Sequence, residues 1–222
     1  MHVARLTRLC AQPQLKLSVE LCQFGEIAPL CEVNPLSAYP KFSPSSDSLP
    51  AMSAVAGKGQ VIATLVVGSD GSTAKDGSSR GVTSTLDRAR FLERRRHVDA
   101  ILIGGNTART EPYRKTPVPV VVISTSMINA LADNRQAYWW NASASEALER
   151  ARRLFGPTIL IEAGASIINE LIAAGEVDRL ERSVTQVSGG DDRIDIQGML
   201  SHFAQVENVT EGETIFYTAT RT

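Results

Sequence analysis

The stretch Val98-Asp99-Ala100-Ile101-Leu102-Ile103 runs directly into Gly104-Gly105-Asn106-Thr107-Ala108-Arg109-Thr110-Glu111-Pro112. A short apolar, β-branched run that ends in glycines reads as a buried strand opening into a loop. In an open α/β sheet, ligands bind in the crevice beyond the C-terminal ends of the strands. The loop carries what such a crevice uses: glycines that admit close approach, the Thr107 hydroxyl, and charge at Arg109 and Glu111. An ordinary strand exit fits the same residues. A second junction of the same kind tips the reading toward a site.

That junction is Pro157-Thr158-Ile159-Leu160-Ile161-Glu162-Ala163-Gly164-Ala165-Ser166, followed by Ile167-Ile168-Asn169-Glu170-Leu171-Ile172. The spacing predicts a strand from Thr158 to Ile161 that ends at a carboxylate, then a turn of small residues. Ser166 is the expected N-cap of a helix whose apolar side is Ile167, Ile168, Leu171 and Ile172, with Gly175 as its stop. The free N–H groups and positive dipole end of such a helix suit a phosphate. The plainer alternative is a tight turn that only packs helix on strand.

Outward from these junctions the pattern is regular. Val61 to Val67 reads as a buried strand. Gly68 to Gly81 reads as a Gly/Ser loop, with Asp70-Gly71 suited to a turn. Ser84 and Asp87 have capping spacing for a helix that runs to about Arg96. A strand is expected over Val118 to Ile123, a helix over Ser143 to Leu154, and strands over Leu180 to Val187 and Thr214 to Thr220. Only a short helix near Gly198 to Phe203 separates the last two strands. Alternating strands and helices give an α/β domain, and the missing crossover predicts an antiparallel edge on a largely parallel sheet.

The chain has 222 residues, 43% of them hydrophobic, and a net charge of -1. That suffices for one sizeable core and supplies no global field for nucleic acid or membrane. Cys10, Cys22 and Cys31 form no metal or disulfide spacing, which fits a reduced, cytoplasmic setting. No apolar run has transmembrane length, and Cys10 to Glu20 is too polar for a signal-peptide core. Residues 1–57 differ from the rest. Pro13, Pro29, Pro35, Pro40, Pro44 and Pro50 punctuate them, and Ser43 to Pro50 resembles linker. The expected organisation is an N-terminal arm over 1–57, with a short helix around Leu15 to Phe24, and a domain over 58–222.

The helix at 84–96 carries Arg88, Arg90, Arg94, Arg95 and Arg96. Most of these read as a solvated basic face. Arg95 lies one turn after Phe91 and borders the apolar side, so it needs an anion, and a phosphate suits its fork. Ser124 ends its strand as a capping hydroxyl or a ribose or phosphate contact. His2, His97 and His202 show no ligand spacing. No Ser-His-Asp order, HExxH motif or Walker loop is present. Several strand ends able to cradle an extended anion, without nucleophile or metal chemistry, favour a cofactor enzyme.

In this order and spacing, the junctions resemble the reductase domain of riboflavin biosynthesis, a dihydrofolate-reductase-like α/β fold. The residues that carry the likeness are Asp70-Gly71, Asp76-Gly77 with Ser79, Phe91 with Arg95, Asp99 to Gly104, Thr107, Glu111, Glu162 to Ser166, and Gly175 to Leu180. They cover roughly Val61 to the C-terminus. The resemblance implies NADPH-dependent reduction of the ribosyl group of a phosphoribosylamino pyrimidine to ribityl, with hydride going to C1′. It places Val67, Gly81, Thr107, Glu111, Ser124, Gly164, Ala165, Ser166, Ile167 and Ile168 at the cofactor. It places Ser79, Arg95, Arg114 and Glu162 at the substrate, with the Arg95 guanidinium on its phosphate. Glu162 and Glu111 are the acids placed to assist protonation, and no metal is implied. The partners implied are a small phosphorylated pyrimidine and a second copy of the chain, joined side by side through the C-terminal strands.

Three positions depart from the family pattern: Gly68 replaces Ser, Glu111 replaces Asp, and Ala165 replaces Pro. The chain has neither the HxE nor the PCxxC motif of a zinc deaminase, so a stand-alone reductase is expected. Two alternatives stay open: a reductase of another substrate on the same fold, and a nucleotide-binding protein without catalysis.

Overall fold

The computed structural model describes residues 59–221. The arm, the linker and the helix expected around Leu15 to Phe24 lie outside the described residues.

The central sheet takes its order from the most apolar stretches of the sequence. β1 (Val61–Val67), β3 (Ala100–Gly104), β4 (Val120–Ile123) and β6 (Ile159–Ile161) are almost wholly buried. They run parallel, as expected of strands covered on both faces. β5 (Ala137–Trp140) extends the parallel part at one edge, and β7 (Arg179–Val184) extends it beyond β1. β10 (Thr214–Thr220) and β9 (Gln205–Glu211) then add antiparallel. The full order is β5-β4-β3-β6-β1-β7-β10-β9. This is the expected architecture: a mostly parallel sheet with an antiparallel edge and flanking helices.

Alternate side chains feed two cores. On one face Ala63, Leu102, Val121 and Ile161 pack with Ala147, Leu148 and Ala151 of α3 (Ala144–Phe155) and with Ile168, Leu171 and Ile172 of α4 (Ala165–Ala173). On the other, Ile62, Ile101, Ile103, Val120, Val122 and Leu160 pack with Ala108, Tyr113 and Leu131. α3 starts in a full capping box between Ser143 and Glu146. α1 (Thr85–Arg94) starts where Ser84 Oγ accepts the Asp87 N–H, and it ends two residues earlier than expected.

Several elements depart from the sequence reading. Gly105–Thr110 forms a short helix, α2, where a loop is expected. Ser72–Ala74 (β2) pairs with Asp191–Arg193 (β8) as a two-stranded flap, inside what reads as loop. The short helix α5 spans Ile196–Leu200, slightly before its expected place. β9, with the sequence QVENVTE, is exposed along nearly its whole length. Its polar residues give no strand signal, and pairing with β10 imposes the conformation.

Candidate functional site

The parallel strands end together, and beyond their C-termini lies a cleft of about 490 Å³. β1 supplies Thr64, Leu65 and Val66 to its wall, α1 with its C-cap supplies Asp87, Arg88, Phe91 and Arg95, and the segment after β6 supplies Glu162 to Ala165. The cleft gathers Ser79, Arg95, Thr107, Glu111, Glu162, Gly164 and Ala165 of the expected site residues. They come from four separate stretches of the chain.

Val67, Gly81, Arg114, Ser124, Ser166, Ile167 and Ile168 are not among its lining residues. Val67 and Ile168 are fully buried in the core, since each faces inward from its element. A Cβ on Gly81 would lie 2.5 Å from the Lys75 carbonyl oxygen, so its close approach is to the chain's own backbone. Ser124 Oγ accepts the Ser126 N–H, which makes it a turn cap; it also stands 2.6 Å from where a Gly105 Cβ would lie. Ile167 packs toward Gly104, and Arg114 is exposed. Ser166 does not cap α4. The N-cap is Gly164, with no side-chain bond, and Ser166 is an exposed residue of the first turn. The first-turn amides of α4 therefore have no side-chain acceptor, and Gly164 and Ala165 open onto the cleft. That arrangement suits a phosphate-bearing cofactor.

The expected acceptor for Arg95 is a phosphate, but the Nε–Nη2 edge of its fork is already taken by Glu162. Arg95 Nε bonds Glu162 Oε1 at 2.9 Å and Oε2 at 3.1 Å, and Nη2 bonds Oε2 at 2.7 Å. The Tyr113 hydroxyl donates to Oε2 as well, at 2.7 Å. The Arg95 guanidinium is also within 4.4 Å of the Phe91 ring and 4.6 Å of the Tyr113 ring. Arg95, Tyr113 and Glu162 are 6%, 2% and 5% exposed. Burial pushes the Glu162 carboxyl above the usual range, against the pull of Arg95 and then Tyr113. Burial, then the Glu162 charge, raises the Tyr113 phenol well above its ordinary value. Arg95 and Tyr113 together satisfy most of the carboxylate's lone pairs, so the ionised form is the one this geometry holds. One acceptor position stays open, on Oε1.

Glu111 works as a tie. Its Oε1 accepts from Ser78 Oγ, Ser79 N and Ser79 Oγ at 2.9 to 3.0 Å. It thereby fixes the Ser78–Ser79 turn against the end of α2. Asp70 is structural too: it accepts from Ser72, from the Gly189 N–H and from Arg193, and so fastens β2 to β8. At Gly68, a Cβ would lie 2.5 Å from the Val187 carbonyl oxygen. Glycine is required there by packing, and Gly68 does not line the cleft.

Tyr113 and Arg88 are among the cleft residues that sequence reasoning passes over. Arg88 reads as part of the solvated face, yet Arg88, Phe91 and Arg95 recur at i, i+3 and i+7, one stripe of α1. That stripe is the available signal. Tyr113 leaves none, because its partner lies 49 residues away in the sequence.

The sheet order, the antiparallel edge and the cleft at the strand ends define a dihydrofolate-reductase-like α/β domain. Residues 60–194 match the family described as the RibD C-terminal domain, and the chain belongs to that family. Among solved structures, it is similar to the diaminohydroxyphosphoribosylaminopyrimidine deaminase/5-amino-6-(5-phosphoribosylamino)uracil reductase of Thermotoga maritima, at 15% identity and a TM-score of 0.56. The match covers 74% of this chain and 57% of that one. It is similar to the Saccharomyces cerevisiae riboflavin biosynthesis reductase Rib7, at 15% identity and a TM-score of 0.51, over 74% of this chain and 90% of that one. It is also similar to an Enterococcus faecalis dihydrofolate reductase complexed with NADP(H), at 18% identity and a TM-score of 0.55, over 74% of this chain and 98% of that one. At these identities the likeness is one of fold. A search of curated proteins finds no match.

Proposed function

We propose that this chain catalyses the NADPH-dependent reduction of the ribosyl group of 5-amino-6-(5-phosphoribosylamino)uracil to the ribityl form. The observation that carries the reading is the cleft itself. In a member of the RibD C-terminal domain family, it brings Ser79, Thr107, Glu111, Glu162 and the uncapped start of α4 to one place.

The cofactor, when bound, supplies a hydride. Gly164, Ala165 and the first-turn amides of α4 are suited to its phosphates, and the Thr107 hydroxyl to its sugar. The protein's part is position. Glu162, held by Arg95 and Tyr113, presents a fixed acceptor on Oε1 for a pyrimidine N–H. Glu111 holds the Ser78–Ser79 turn, so the Ser79 backbone frames the cleft wall. Fixed partners of this kind lower the entropic part of the barrier. Glu162, held ionised by Arg95 and Tyr113, acts as an acceptor in this scheme, and the proton that the reduced nitrogen takes up comes from solvent.

The filled Glu162 also supports a second reading, nucleotide binding without turnover on this pyrimidine. NADPH absorbance decay with the purified chain and the phosphoribosylamino pyrimidine separates the two. Decay that requires the pyrimidine, and is lost in a Glu162→Gln variant shown to be folded at the assay temperature, supports the reductase. Tight NADPH binding without decay moves the reading to another substrate or to binding alone.

A cytoplasmic homodimer belongs to the same proposal. Among the described residues, no helix is long and apolar enough to cross a membrane. Among the described residues β9 is one of the two edges of the sheet and exposes Val206 and Val209, the kind of edge that a second copy covers. A monomer at micromolar concentration in the ultracentrifuge would count against the dimer.

A further inference from the structure

Four carboxylates line the cleft, those of Asp87, Glu111, Glu162 and Asp192, with two guanidiniums, Arg88 and Arg95. Arg95 is committed to Glu162 through Nε and Nη2. Arg114, the other arginine that the family pattern places at the substrate, does not line the cleft. Arg88 differs from both. It lines the cleft, and among the described residues its side chain takes part in no hydrogen bond or ion pair; its guanidinium lies 5.5 Å from the Phe91 ring. A cation set among four carboxylates that pairs with none of them keeps its donors free for something else.

The helix explains the separation. Arg88 and Arg95 project from one stripe of α1 with Phe91 between them. Arg95, at the C-terminal end, meets Glu162. Arg88, two turns earlier, is left with an aromatic face beside it and five N–H donors. A guanidinium fork matches two oxygens of a phosphate monoester.

We propose that Arg88 is the phosphate anchor of this cleft, taking the terminal monoester of a sugar phosphate, in place of Arg95. The proposal rests on the reductase reading for its substrate. It does not rest on it for its chemistry, since a phosphate monoester is also present on the 2′-phosphate of the nicotinamide cofactor. The sugar phosphate is favoured because α1 places Arg88 beside the Arg95–Glu162 pair, whereas the cofactor residues come from α2 and α4.

The test is calorimetric binding of ribose 5-phosphate, ribose and NADPH to the full chain, as wild type, Arg88→Ala and Arg88→Lys. The wild type binds ribose 5-phosphate more tightly than ribose. Arg88→Ala weakens ribose 5-phosphate about tenfold or more, as expected for lost bonds to a charged group, and leaves NADPH within about twofold. Arg88→Lys recovers only part of the loss, because an ammonium has no fork. Among the described residues the Arg88 side chain makes no hydrogen bond or ion pair, so both variants should melt close to the wild-type temperature. The lysine variant also serves if the alanine variant misfolds.

Equal binding of ribose and ribose 5-phosphate by the wild type overturns the anchor. So does an unchanged ribose 5-phosphate affinity in both variants. A loss confined to NADPH overturns the sugar-phosphate source and reassigns Arg88 to the cofactor. Failure of the reductase reading has a different signature: no pyrimidine turnover, with the Arg88-dependent preference for ribose 5-phosphate intact.

Discussion

The Tyr113 hydroxyl stands 2.7 Å from Glu162 Oε2, the oxygen that Arg95 also holds. The carboxylate therefore sits at the centre of a buried triad that joins the end of α1, the segment after α2 and the end of β6. Removing one member of a buried pair leaves the other charge without compensation. Glu162→Gln should destabilise the domain by about 3–5 kcal/mol. Tyr113→Phe removes one bond to a charged group and should cost about 1.5–3 kcal/mol. Urea denaturation checks both. A Glu162→Gln variant as stable as wild type would mean that the triad is not a structural tie.

The same phenol sets an alkaline limit. An unfolded tyrosine titrates near 10, and burial together with the Glu162 charge raises the Tyr113 phenol well above that. The folded state therefore keeps its proton longer than the unfolded state does. This contribution is complete below about pH 10 and is lost as pH rises through the folded value. Stability measured against pH should fall above about 10 in wild type, and less steeply in Tyr113→Phe. Equal slopes for the two proteins would remove Tyr113 as the cause.

Acid should loosen the flap. The Ser72 hydroxyl, then the Gly189 N–H and Arg193, hold the Asp70 carboxyl well below the usual carboxylate range. A depressed value means that the contribution is present above the unfolded value of about 3.9 and is lost as pH falls toward the folded one. Asp70→Asn should mimic this loss at neutral pH, and hydrogen exchange at the Gly189 amide is the readout. Unchanged protection of Gly189 in the variant would show that the flap is held by other contacts.

Gly68 replaces the serine of the family pattern, and restoring that serine should not help. The added Cβ would lie 2.5 Å from the Val187 carbonyl oxygen and 2.7 Å from Ser72 Oγ. Gly68→Ser should cost about 1–3 kcal/mol as an overpacked site. A thermal melt decides it: a variant that melts at or above the wild-type temperature contradicts the packing argument.

The runs Val61 to Val67, Ala100 to Ile103, Val120 to Val122 and Ile159 to Ile161 announce buried parallel strands, because strands covered on both faces are apolar throughout. Ser84 and Ser143 announce their helices through local side-chain bonds. β9 and β8 stay silent, since their polar residues become strands only by pairing with β10 and β2. Ser166 misleads for a related reason: a serine just before an apolar run satisfies the capping pattern, while the backbone turns two residues earlier, at Gly164.

What the sequence determined by itself is the layering and the location of the cleft. Hydrophobic periodicity and glycine placement are local, and they fix the buried parallel strands β1, β3, β4 and β6 and where those end. The tertiary structure decided which charges meet. Arg95 and Glu162 are 67 residues apart, and Tyr113 and Glu162 are 49 apart. Their pairing follows from β6 inserting between β3 and β1, which brings the end of β6 under α1. No local pattern encodes that insertion. Only the folded sheet distinguishes Arg95, which pairs with Glu162, from Arg88, whose side chain has no bonded partner among the described residues.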